Sequence, residues 1–133
     1  MPGPANAGLF VYAFDAVRLA RFYETLLGLQ RRHQNDELIV LENADIQLVV
    51  HAVPPAARAA AAPTTPPQPR WQSALKFFVT VPSLAAAQTT AQSLGGEVFA
   101  EQWAGPDFIV RNAMDPEGNV FHLRERLTKR GTP

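Results

Sequence analysis

The stretch Met114-Asp115-Pro116-Glu117-Gly118-Asn119-Val120-Phe121-His122-Leu123-Arg124-Glu125 decides the fold. It reads as a tight turn feeding the last strand of a sheet. Asp115 suits the first position of a type I turn, because its carboxylate accepts hydrogen bonds from backbone N–H groups just ahead. Pro116 presets φ at the second position, and Gly118 supplies positive φ where the turn closes. The residues that follow mix apolar and polar side chains in a short strand. Phe121 and Leu123 are expected in a core, with Val120, His122 and Arg124 on the opposite face.

Moving upstream, Leu75–Val81 is an apolar run that reads as a strand. Ser83 is an N-cap, and Leu84, Ala87, Ala91 and Leu94 stripe a helix that Gly95-Gly96 stops. Glu97–Ala100 and Phe108–Asn112 read as strands, with Trp103-Ala104-Gly105-Pro106-Asp107 as the loop between them. The first half has the same order. Leu9–Phe14 is a buried strand, and Asp15 caps a helix over about 16–27. Leu19, Phe22, Tyr23, Leu26 and Leu27 form its apolar stripe, and Gly28 is its left-handed stop. Arg31–Asn35, Glu37–Glu42 and Ile46–His51 follow as strands, with turns at Asn35-Asp36 and Asn43-Ala44-Asp45.

The chain is therefore an internal repeat, β-α-β-β-β twice, and its fold class is α+β. We place the first module at 8–52 and the second at 73–127, within a single domain spanning 1–133. A proline- and alanine-rich linker, 53–72, joins them. Pro54, Pro55, Pro63, Pro66, Pro67 and Pro69 remove backbone donors and fix φ, so neither a sheet nor a long helix fits there. One helical turn within Ala56–Ala62 and a mobile crossover arm are expected.

Composition narrows the function. The 133 residues carry 12 Lys plus Arg against 12 Asp plus Glu, so no charge excess points to nucleic acid or to an anionic membrane surface. The absence of cysteine removes disulfides, thiolate metal sites and cysteine nucleophiles. The first residues lack the pattern of a signal peptide, and no window approaches the roughly 20 apolar residues of a spanning helix. A cytoplasmic location is expected.

The paired β-α-β-β-β modules, the Phe22-Tyr23 and Leu27-Gly28 helix ending and the Asp115-Pro116-Glu117-Gly118-Asn119 turn together resemble the vicinal oxygen chelate superfamily. That group includes glyoxalase I, bleomycin-resistance proteins and extradiol dioxygenases. The resemblance implies mixed sheets, one helix per module, and two half-barrels facing across a cleft. It also implies metal-ligand positions at the start of the first strand and the middle of the last strand of each module. Those positions here are Gly8, Gln47, Lys76 and His122. A divalent ion prefers imidazole or carboxylate donors. Glycine offers no side chain and lysine is a cation, so Gln47 and His122 are the only plausible ligands. No metal and no other cofactor is expected.

With that register, strand alternation places Phe10, Tyr12, Val49, His51, Phe78, Thr80 and Arg124 in the cleft. Leu9, Val11, Leu48, Val50, Phe77, Val79, Phe121 and Leu123 then face the helices. The expected ligand-binding set is Phe10, Tyr12, Gln47, Lys76, Phe78, Trp103, His122 and Arg124. Aromatic walls with convergent polar groups suit a small neutral or anionic, partly aromatic molecule. Competing readings put Lys76 and Arg124 in surface ion pairs with Glu42 or Glu125, and His51 at a solvated strand end.

Three functions stand open at this level. The first is a non-catalytic binder of the resistance type. The second is a metal-assisted or metal-free lyase or isomerase, with His122 as general acid or base and Tyr12 or Lys76 polarising a carbonyl. The third is an assembly module, with the linker or the basic tail 124–130 serving a protein partner. The resemblance also implies a homodimer.

Overall fold

Asp115 is fully buried, and it organises the turn ahead of the last strand. Its Oδ1 accepts from the N–H of Glu117 at 2.9 Å and of Asn119 at 3.0 Å, and its Oδ2 accepts from Asn119 Nδ2 at 2.8 Å. Gly118 closes the turn with φ of 88°, a conformation in which a Cβ would be strained.

The computed structural model describes residues 5–58 and 62–127. The chain divides into two compact units, Met1–Gln68 and Pro69–Pro133. Unit 1 contains β1 (Gly8–Ala13), α1 (Ala16–Leu27), β2 (Gln30–Gln34), β3 (Leu38–Glu42) and β4 (Gln47–Ala52), with a 3-10 turn at Pro55–Ala57. Unit 2 contains β5 (Phe78–Val81), α2 (Leu84–Ser93), β6 (Glu97–Ala104), β7 (Phe108–Met114) and β8 (Val120–Arg126). Each unit forms a four-stranded mixed sheet, ordered β1-β4-β3-β2 and β5-β8-β7-β6. The first strand of each module runs parallel to the last, and the other neighbours are antiparallel. This is the duplicated β-α-β-β-β order expected from the sequence.

The helices begin and end where local chemistry dictates. Asp15 Oδ1 accepts from Arg18 N at 3.1 Å, and Ser83 Oγ accepts from Ala86 N at 3.1 Å. Such caps contribute about 1 kcal/mol each. Glu125 Oε1, from β8, accepts from Leu84 N at 2.7 Å and adds a second, tertiary cap to α2. Gly28 ends α1 in the left-handed region. The predicted stripe of α1 is buried throughout, and so are Leu84, Ala87 and Ala91 of α2. In each unit the helix covers one face of the sheet. Leu48, Val50, Phe121 and Leu123 are at most 1% exposed beneath them. The other face carries Phe10, Tyr12 and Phe78, all more than half exposed.

Several expectations need correction. β5 starts at Phe78 rather than Leu75, because Leu75 C=O accepts from Ser73 Oγ at 3.1 Å and leaves the ladder. β6 runs on to Ala104, so Trp103 belongs to a strand and not to a loop. Gln102, Trp103 and Ala104 pair with Arg111, Val110 and Ile109 after a register shift, which the polar Glu101-Gln102 sequence disguises. Val120 is only 5% exposed, opposite equally buried Met114, so apolar packing wraps this end of the sheet. In the linker, the helical turn is shorter and earlier than Ala56–Ala62, and part of that range lies outside the described residues. Arg58 Nη2 donates to Phe14 O at 2.9 Å, tying the start of the linker to unit 1. Of the basic tail, Arg124–Arg126 is strand β8, and 128–130 lies outside the described residues.

Candidate functional site

Side-chain alternation in β1 and β4 sends Phe10, Tyr12 and His51 to the open face of unit 1. Tyr12 lies directly beside His51 in the parallel ladder. Phe10 and Tyr12 meet edge to face at 5.2 Å, and the Phe10 and His51 rings stack at 5.5 Å. His51 Nδ1 lies 2.7 Å from Ala52 O, which can only accept, so Nδ1 carries the proton. His51 thus sits in an aromatic cluster with Phe10 and Tyr12.

Gln47 stands on the same face, beside Gly8 in β1 and opposite Glu42 in β3. Its Nε2 donates to Glu42 Oε1 at 2.8 Å, and Glu42 Oε2 is 3.9 Å from Arg32 Nε. Glu42 is a carboxylate that the sequence reading left out of the face. The hairpin turn at Asn43-Ala44-Asp45 was the signal that pairs it with Gln47. Glu42 also lines an open hollow of about 420 Å³ with Asn6, Asn43, Asp45 and Ile46, at the hairpin end of the sheet and away from Phe10 and Tyr12.

In unit 2 two rows of side chains cross the open face. Phe78, His122 and Asn112 form one; Thr80, Arg124, Val110 and Trp103 form the next. The Arg124 guanidinium carbon is 3.7 Å from the Phe78 ring centre and 4.5 Å from that of Phe108. The cation lies against both phenyl rings, and with Phe78 53% exposed such a contact is worth about 0.5–1 kcal/mol. Arg124 Nε is buried without a hydrogen bond. Phe108 in turn rests on Gly105: a Cβ there would lie 2.3 Å from the ring carbons. Neither Phe108 nor Asn112 was singled out in the sequence.

Lys76 precedes β5, and its Nζ donates to Asn112 Oδ1 at 3.1 Å. Counting back from the helix caps makes Lys76 the counterpart of Gly8. The ladder does not follow that count. Phe78, beside His122, stands two residues closer to Ser83 than Gly8, beside Gln47, stands to Asp15. The surface pairings considered for these cations do not form either. Glu125 caps α2 and Glu42 holds Gln47. His122 has its pKa lowered, first by burial and then by the charges of Lys76 and Arg124. Its imidazole is therefore neutral at neutral pH.

The superfamily implied by the sequence commonly uses a divalent metal at these four ligand positions. They do not fit one. A Cβ on Gly8 would lie 2.6 Å from the carbonyl oxygen of Gln47, so no donor side chain starts there without moving backbone. Lys76 and Arg124 repel a cation near His122. Among the described residues no three His, Asp or Glu side chains gather as a metal-binding group.

A sequence model of the glyoxalase-like domain matches residues 9–124. The chain belongs to the glyoxalase-like domain family. It thereby falls within the vicinal oxygen chelate superfamily. Solved structures share the fold of this glyoxalase-like protein. A glyoxalase-related enzyme from Fulvimarina pelagi is 18% identical, with 92% of this chain and 88% of that one covered at a TM-score of 0.66. A glyoxalase/bleomycin resistance protein/dioxygenase family enzyme from Burkholderia phytofirmans PsJN is 18% identical, covering 91% and 98% at 0.65. A glyoxalase/bleomycin resistance protein from Albidiferax ferrireducens T118 is 19% identical, covering 90% and 97% at 0.63. No curated protein matches the sequence significantly. No helix among the described residues of the glyoxalase-like protein is long and apolar enough to cross a membrane.

Proposed function

We propose that this glyoxalase-like protein binds a small anionic, partly aromatic molecule on the open face of unit 2, without a metal. The observation that carries the reading is Arg124: its guanidinium carbon lies over the rings of both Phe78 and Phe108, at 3.7 and 4.5 Å, and among the described residues no carboxylate pairs with it. A guanidinium fixed in this way offers its outer nitrogens as a fork matched to a planar carboxylate. Phe78 and Trp103 supply ring faces beside it.

The test is a fluorescence titration of the full chain with benzoate and phenylacetate, read from tryptophan, since Trp103 shares the Arg124 row. Saturable quenching that Arg124→Gln abolishes is expected. No change with either acid overturns the reading. Elemental analysis of the purified protein checks the metal: stoichiometric zinc, nickel or iron overturns that part.

A second reading, a metal-free isomerase or lyase, is favoured by one observation: His122 is kept neutral between two cations and is able to accept a proton. It predicts deuterium exchange at the carbon next to the carbonyl of a 2-oxo acid in heavy water, lost in His122→Gln. Tyr12, the carbonyl partner expected from the sequence, lies in unit 1. A homodimer is also proposed, supported by the exposure of Phe10 and Tyr12. A monomeric mass by light scattering contradicts it.

A further inference from the structure

We infer that the ligand of unit 2 is a dicarboxylate, with one acid group held by Arg124 and the other by Lys76 with His122. This deepens the binding reading above and rests on it. The two cationic positions lie on successive rows of one sheet face. Arg124 occupies the row of Thr80, Val110 and Trp103. Lys76 reaches the neighbouring row, because its ammonium is 3.1 Å from the Asn112 oxygen and Asn112 is directly opposite His122.

His122 and Arg124 are two residues apart along β8, a separation of about 6.6 Å for an extended strand. One carboxylate cannot reach both rows in good geometry, whereas a para-substituted aromatic diacid matches the spacing. Such a ring would run along the strand beside Phe78.

The charge balance points the same way. Among the described residues neither Lys76 nor Arg124 forms an ion pair. Glu125, the nearest acid along β8, accepts from the α2 backbone. Glu97 and Glu101 of β6 form no ion pair with these cations, and Arg126 adds positive charge at the exposed strand end. A monoacid leaves one cation uncompensated beside the other. A diacid neutralises both, and the lowered basicity of His122, caused in part by these two charges, is then relieved.

The experiment compares benzoate, phthalate and terephthalate by calorimetry on the full chain. Terephthalate is expected to bind at least about tenfold more tightly than benzoate, with phthalate gaining little because its carboxylates are adjacent. Lys76→Gln should erase the terephthalate advantage, so that on this variant terephthalate and benzoate bind within about twofold of each other. As a second readout, NMR titration should show the His122 pKa rising more with saturating terephthalate than with benzoate. Equal binding of all three acids, weakened alike by Lys76→Gln, overturns the dicarboxylate and leaves the binding reading intact. No binding of any acid overturns both.

Discussion

The Arg124 guanidinium carbon lies 3.7 Å from the centre of the Phe78 ring, close enough for the planar cation to stack on the ring face. Lysine carries the same charge but is not planar and cannot stack. Arg124→Lys is therefore expected to weaken aromatic carboxylate binding by about tenfold or more despite the retained charge. Calorimetry on the two proteins checks this. Equal affinities would mean that charge alone matters.

Gly105 sets the far wall of the same clamp. Its N–H donates to Phe108 O at 2.8 Å, and a Cβ would fall 2.3 Å from the Phe108 ring. Gly105→Ala must push that ring aside. We expect a stability loss of about 1–3 kcal/mol, typical of overpacking, and weaker benzoate binding. Urea unfolding and titration measure the two effects separately.

Asp115 is buried and accepts from two backbone N–H groups and one side-chain amide. Asp115→Ala leaves those donors unsatisfied ahead of β8. A loss of about 3 kcal/mol is expected, combining lost charged hydrogen bonds with buried donors. The midpoint of urea unfolding should fall, with the m-value unchanged.

His122 makes stability depend on pH. Its folded pKa lies below the ordinary value of 6.5, so below that pH the unfolded chain binds the proton more readily. Stability is then full above pH 6.5 and falls as pH drops toward the folded pKa. In His122→Gln this part of the slope should disappear. A slope unchanged by the substitution would show that other groups cause it.

Gly8→His would restore an imidazole at the position where the superfamily places a metal ligand. The Cβ would meet the Gln47 carbonyl at 2.6 Å, so β1 and β4 must separate. The expected outcome is a loss of about 1–3 kcal/mol and no gain in zinc affinity. Denaturation and calorimetric zinc titration test both.

The features legible in the sequence were local or periodic. The Asp115 turn, the Asp15 and Ser83 caps and the Gly28 stop each depend on a few consecutive residues, and strand alternation separated Phe10, Tyr12, Phe78 and Arg124 from the buried Leu48, Val50 and Leu123. From these the duplicated modules followed. What lay across the strands was decided only in the tertiary structure. Which residue stands beside His122 depends on ladder register, and a shift of two residues placed Phe78 there and moved Lys76 ahead of the strand. Glu42 beside Gln47, Asn112 beside His122 and Phe108 against Arg124 arise in the same way. Backbone pairing between distant segments sets these neighbours, and neither propensity nor spacing along the chain encodes them residue by residue.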